Sequence, residues 1–495
     1  MMTETTSGSV LEKISSLDFF KTLNMEALIR RYELSAQLRI AAATPPAATP
    51  PQPQVGPVIS SIPAEGIVIN TPGSYEFAND ITWAPTSPGA AISIQADNVT
   101  LDLKGFTLQA NNLDVYQQFK GIELLNGTTN TVQNGTISGM TYYGLHADSI
   151  NTLQISGLTV TNMSYSDIQT AAATPCGILV DKTEGFTITG CQVSNMNVLS
   201  ASCAGIQALE SVNGTLSGCA ISNLQNQDGA VQGYSYLLSA GVQTTNCTAS
   251  AFQSFYKGLT KTTGHTVLGF IPIFCVDLIF DSCSSTTMTG CCDDCHGMSV
   301  FLNAYVSVTN FTATGVTDGV TPRNTGAKAT GLEVYGCNIT ITNCSVENIM
   351  AIVPQDLQSA GFSAWGQTIT FDGCTATNVQ VVDAQRNPDT KLGYGTGFGW
   401  APDPRPEFSG QAADQVTYNN CTSNNCQLGF DTWYHTNSTW TGITTPGCPI
   451  SILVQPDGTQ RTLSMDKCSE SPSGQEMSVT LSNIAANNTY PSREN

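Results

Sequence analysis

The chain has 495 residues, enough for a large core, and only 11% of them are charged, against 44 Gly and an abundance of Ser, Thr and Asn. That composition suits strands joined by turns and suits a helical bundle poorly. Formal net charge is -20, which argues against nucleic acid or a membrane surface as primary partner and means that a strongly anionic glycan would need bridging cations.

No apolar run approaches the roughly 18 residues that cross a bilayer. The start MMTETTSGSVLEKISSLDFF lacks a basic stretch followed by an apolar core, so no secretory signal is expected. The seventeen cysteines are then expected as reduced thiols in a protein made in the cytoplasm, with surface or particle association by a non-classical route left open.

Residues 1–43 read as a helical N-terminal element: Asn24 caps a segment whose Met25, Leu28, Ile29, Tyr32 and Ala36 share one face. Residues 44–57 form a Pro-rich linker that forbids helix and sheet. The helical piece reads either as a docking or oligomerisation element or as a helix folded back on the main domain. Residues 58–440 are repetitive, and residues 441–495 are expected to close the far end as a cap or tail.

Within the repetitive part a Gly followed by an alternating strand recurs at GIEL (121), GLHA (144), GILV (177), GIQA (205), GYSY (233), GFIP (269), GMSV (297), GLEV (331), GFSA (361), GFGW (397) and GFDT (429), with 23 to 36 residues between starts. A second phrase recurs as FTITGCQVSN, NGTLSGCAISN, NITITNCSVEN and QTITFDGCTATN, and reads as a buried strand with cysteine in its middle. Fixed internal alignment with variable spacing marks a solenoid whose insertions map to loops.

Strand, turn, strand, turn with no intervening helix resembles the right-handed parallel β-helix of the pectin-lyase-like superfamily, over residues 65 to 440. TPGSYEFANDI and NVTLDLKGFTL look like that group's first coils. The expected fold is therefore all-β, a single-stranded right-handed parallel β-helix with a short N-terminal helical segment. Coils would rise by about 4.8 Å, so equivalent residues pile into columns. Cys191, Cys219, Cys247, Cys283, Cys344, Cys374 and Cys421, with Leu158 and Phe311, form one such column and read as small buried hydrophobes rather than a metal or disulfide chain. Asn162, Asn195, Asn223, Asn348, Asn378 and Asn425 form another, at positions suited to left-handed backbone. The many N-x-S/T triplets follow from this strand and turn composition and carry no glycosylation signal.

On the Gly-led strand the first residue after Gly is apolar and points inward. The second is mostly polar, including Glu123, His146, Glu333, Ser363 and Asp431, and the fourth includes Phe301, Tyr335, Trp365 and Trp433. An apolar stripe on the outside of a solenoid reads in three ways: a glycan groove with rings stacked on sugars, a subunit interface such as the trimers many such solenoids form, or a surface folded under inserted loops. The insertion WAPDPRPEFSGQAADQ carries Asp403, Arg405 and Glu407 near Asp431 and His435, residue types that glycoside chemistry uses if two carboxyls come within about 5–9.5 Å.

TGCCDDCHGMSV, residues 289–300, resembles part of the polygalacturonase-type glycoside hydrolases. The resemblance implies Asp293 and Asp294 as the acid pair and His296 with Gly297 as part of a second motif; Asn-Thr-Asp and Arg-x-Lys elements have no counterpart on adjoining strands. Cys291, Cys292, Cys295 and His296 crowd into six residues, a spacing too tight for a tetrahedral zinc site, so no metal is expected. A lyase would add calcium, with Arg323, Lys328, Arg386 or Arg405 as base, and lacks a compact acidic cluster. The functional expectation is a non-catalytic carbohydrate-binding or structural surface protein contacting glycan along Phe301, Glu333, Tyr335, Ser363, Trp365, Asp403, Arg405, Asp431 and Trp433. The alternatives are a polysaccharide hydrolase or lyase, and a self-assembling shell or fibre subunit.

Overall fold

The computed structural model describes residues 13, 17, 57–111, 114–166, 174–199, 201–227, 229–255, 266–291, 294–319, 328–352, 359–383, 385–388, 395–399, 414–431, 437–453, 462–466, 468–469 and 476–477. The expected helical segment falls outside these apart from Lys13 and Leu17, as do Asp293, Asp403, Arg405, Glu407, Trp433 and His435.

Each coil contributes strands to three parallel sheets. In the first sheet Ile122 pairs with Leu145, Leu145 with Ile178, Ile178 with Ile206, Ile206 with Tyr234 and Tyr234 with Phe270. The same column continues through Met298, Leu332, Phe362, Phe398 and Phe430. These are the residues that follow each Gly, and their side chains fill the lumen. Tyr234 on Phe270, Phe362 on Phe398 and Phe398 on Phe430 stack at 4.6, 4.7 and 4.8 Å between ring centroids, the rise of one strand. A side chain is crowded out before them: a Cβ on Gly177 would lie 2.6 Å from the carbonyl oxygen of Gly205. Insertions fall mainly between the third sheet and the next first-sheet strand, as from Ser254 to Val267 and from Asp318 to Ala329.

The cysteines sit one step away from where the strand pattern puts them. Glu184–Thr189 closes the second sheet's strand and Gln192–Leu199 opens the third sheet's, so Cys191 occupies the corner between them. The residue before each column cysteine is left-handed: Gly190, Gly218, Asn246, Ser282, Asn343, Gly373 and Asn420 all have φ between 50° and 63°. The kink turns the thiol inward, where Cys191, Cys219, Cys247 and Cys283 donate to the carbonyls of Thr189, Ser217, Thr245 and Asp281 at 3.4–3.5 Å. The cysteines from Cys176 to Cys448 whose side chains are described are all free. The thiols thus serve as compact hydrophobes with one weak donor.

Four residues on, Asn162, Asn195, Asn223, Asn348, Asn378 and Asn425 all adopt φ of 53–56°, as their column requires. Their amides bond from coil to coil, Asn223 Nδ2 to Asn195 Oδ1 at 3.3 Å and Asn378 Nδ2 to Asn348 Oδ1 at 2.6 Å. Ala251, Thr287 and Gly315 take this position in the three coils between, with φ of 57°, 55° and 69°.

At the other end of the chain Lys13 pairs with Asp277 and lies 5.5 Å over the Tyr305 ring, while Leu17 packs against the core. These contacts lay that part of the N-terminal segment on the outer face of the second sheet. Past residue 440, Ile450–Leu453 and Thr462–Asp466 still pair in parallel with the first and second sheets.

A β-branched residue in left-handed backbone is strained by roughly 1–2 kcal/mol. Exposed Thr287 is such a residue, so Thr287→Asn should stabilise the protein by about 1 kcal/mol, and Asn195→Val should destabilise it by a similar amount. Urea unfolding of the two variants beside the parent checks both signs.

Candidate functional site

The outer face of the first sheet carries two columns of interest. Glu123 pairs with His146, and further along Ser299 pairs with Glu333 and Glu333 with Ser363. Asp431 belongs to this column too, because its Cβ lies 2.9 Å from where a Cβ on Gly399 would be. In the other column Leu209 pairs with Leu237, Leu237 with Ile273, Ile273 with Phe301, Phe301 with Tyr335 and Tyr335 with Trp365. The three rings are tilted on one another at 5.3 and 5.2 Å.

These rings face out of the cylinder and yet are covered. Tyr335 and Trp365 are each 1% exposed, and Phe301, Glu333, Ser363 and Asp431 are also buried. Alternation places them on the outer face, and burial closes that face to an open stack of sugar on Tyr335 or Trp365. This is the arrangement expected of a stripe lying under other chain segments.

Beside the rings lies a buried ionic network. Glu333 accepts from Ser299 Oγ at 2.8 Å, pairs with Lys328 and lies 3.7 Å from Nδ1 of His296, whose Nε2 is 3.6 Å from Asp294. Burial pushes the Glu333 carboxyl up, but the charges of Lys328 and His296 outweigh it and hold the group below its ordinary range. Asp294 is the open member, 43% exposed. Asp318 is enclosed, accepts the Lys328 backbone N–H at 2.8 Å and leaves Oδ1 without a donor. Burial drives its pKa well above the usual carboxylate value. The structure therefore joins Asp294, His296 and Glu333, which sequence reasoning had placed in two different candidate sites.

A second cluster lies nearer the N-terminus on the same face, and its Asp148 and Asp181 were not singled out from the sequence. Asp148 pairs with Asp181 across adjacent strands. They occupy the same fourth position after Gly that carries the rings later in the chain, so following that column back from Leu209 would have found them. A ring nitrogen of His146 and one oxygen each of Asp148 and Asp181 all lie within 4.8 Å of one another. Glu123 Oε1 is 3.4 Å from His146 Nδ1 and pairs with Lys120.

Unlike the ring region, this cluster is partly open, with His146, Asp181 and Glu123 side chains 12%, 13% and 16% exposed. Burial raises Glu123, but bonding to His146 and the charge of Lys120 bring it down to about 2. Asp181 is pushed up to about 7, by burial first and then by the charges of Asp148 and Glu210, with Lys182 opposing.

Residues 176–378 match the family described as "Right handed beta helix region", a span that holds the cysteine and asparagine columns from Cys191 to Asn378. No curated protein matches the sequence. Among solved structures, ORF18 of Geobacillus virus E2 aligns at 12% identity and TM-score 0.32, over 74% of this chain and 55% of that one, so this chain spans just over half of that protein's length. The catalytic domain of a GH87 alpha-1,3-glucanase aligns at 13% identity and TM-score 0.35, over 84% and 70%. The tailspike of E. coli bacteriophage HK620 aligns at 10% identity and TM-score 0.37, over 80% and 72%. The chain is a right-handed parallel β-helix that resembles the pectin-lyase-like superfamily.

Removing one partner of a buried ion pair strands the other, at a cost of about 3–5 kcal/mol. Lys328→Met should lower stability by that order, read as a fall in the urea midpoint. For Asp318 the folded protein holds a proton that the unfolded chain releases near its ordinary value of 3.8, so stability falls as pH rises above about 4 until the raised pKa is passed. Asp318→Asn, shaped like the neutral acid, should flatten that fall when thermal midpoints are compared from pH 4 to 8.

Proposed function

We propose that this β-helix binds carbohydrate on the outer face of its first sheet without turning it over, using the coils that carry Lys120, Glu123, His146, Asp148 and Asp181. One observation carries the reading. These five ionisable side chains lie on three consecutive strands, held by mutual pairing and partly open, whereas Gln207, Ser235, Ser299, Glu333, Tyr335 and Trp365 farther along the same face are buried. Rigid charged acceptors and donors repeated at about 4.8 Å suit the hydroxyl groups of a sugar chain, and sites on strands hold such geometry better than sites on loops. In this reading Phe301, Tyr335 and Trp365 form packed support. The net charge of -20 favours a neutral glycan.

A hydrolytic reading of the same coils has one observation in its favour: Asp181 keeps its proton to about pH 7 with Asp148 beside it, as a general acid does. New reducing ends that vanish in Asp181→Asn would establish that reading over binding alone.

Calorimetric titration with neutral oligosaccharides should detect binding that Glu123→Gln weakens at least about tenfold, the order expected when a charged hydrogen bond is lost. Thr340→Ala, on the exposed face of the second sheet, should leave it unchanged. Equal loss in both variants, or no binding of any oligosaccharide, would sink the assignment.

A further inference from the structure

We propose that His146, Asp148 and Asp181 bind one divalent transition-metal ion, with Mn2+ as its type, on the open part of the first sheet. This rests on the reading of that face as the contact surface and adds what would bridge it to a ligand. The three side chains converge because the register forces them to. His146 and Asp148 are two residues apart on one strand and so share a face, and Asp181 is the register partner of Asp148 on the next strand.

Their donor atoms lie within 4.8 Å of one another. Ligands at about 2.0–2.2 Å from one ion stand up to roughly 4.4 Å apart, so small side-chain rotations complete the set.

Two further observations point to a cation. Glu123 faces Nδ1 of His146 at 3.4 Å; a carboxylate there accepts the Nδ1–H hydrogen bond, fixes the ring and leaves the Nε2 lone pair for a metal, the usual arrangement around metal-bound imidazole. Asp181 Oδ1 is enclosed and accepts no hydrogen bond, although a buried carboxyl oxygen without a partner is costly. Its neighbours include the carboxylates of Asp148 and Glu210, and the opposing charge is Lys182, 3.8 Å from Oδ2. A divalent ion would satisfy Oδ1 and offset the repulsion together.

Imidazole with two carboxylates selects Mn2+, Fe2+, Co2+ or Zn2+ over the all-oxygen preference of Ca2+ and Mg2+. Three protein ligands leave coordination positions for water or for adjacent hydroxyls of a sugar.

The test uses the full chain after chelator treatment, with no sugar present. Mn2+ is the probe because it has little affinity for the many thiols. Loss of the free Mn2+ paramagnetic resonance signal should show one equivalent bound. His146→Gln and Asp148→Asn should each weaken binding at least tenfold with unchanged circular dichroism, and Glu123→Gln about 10–100-fold. Mn2+ that stays free at millimolar concentration, or uptake by the parent that persists in both ligand variants, overturns the site. Oligosaccharide is added in a second step: sugar binding without metal uptake defeats only the metal site, and metal uptake without sugar binding defeats only the contact-surface reading.

Discussion

Everything in this molecule depends on each strand bonding, in parallel and in register, to its counterpart one coil later. A slip of one residue would turn every lumen side chain to solvent, so the apolar column from Ile122 to Phe430 and the hydrogen-bond ladder enforce each other. The stacked rings at one-strand spacing express the same rule. Successive coils cover one another's strand edges along the rod, which removes the unpaired edges that invite aggregation.

Stacking transfers the burden of shape to the corners. A coil must bend sharply at the same residue each time, and the left-handed positions before and after the cysteines do this with Gly and Asn wherever the sequence allows. The corner after the first sheet is bridged differently. Backbone N–H groups of Thr183, Ser211, Ser239 and Cys275 donate in turn to side chains of Ser211, Ser239, Cys275 and Asn303, a polar file inside the cylinder wall that leaves these buried donors satisfied.

The outer face of the first sheet is where this regularity gathers ionisable groups. Its C-terminal part is covered, and charged groups there survive only as a network, Glu333 held by Lys328, Ser299 and His296; such pairing offsets desolvation more than it adds stability. Its N-terminal part is thinly covered, and the same column positions carry Glu123, His146, Asp148 and Asp181. One architecture thus carries a buried outer face at one end and partly exposed charged groups at the other.

The amino-acid sequence by itself determined the repeat, the inward residue after each Gly, the buried thiol column and the left-handed Asn column. Each follows from period and turn chemistry, which are local and recur coil after coil. Alternation also assigns Phe301, Tyr335 and Trp365 to the outer face, but it says nothing about what covers that side. Only the tertiary structure decided that these rings are buried, that the cysteines stand at corners, that His296 and Glu333 share one network across 37 residues of sequence, and that Asp148 meets Asp181. Those outcomes depend on which coil lies against which and on what packs over each face, distances that chain spacing does not encode.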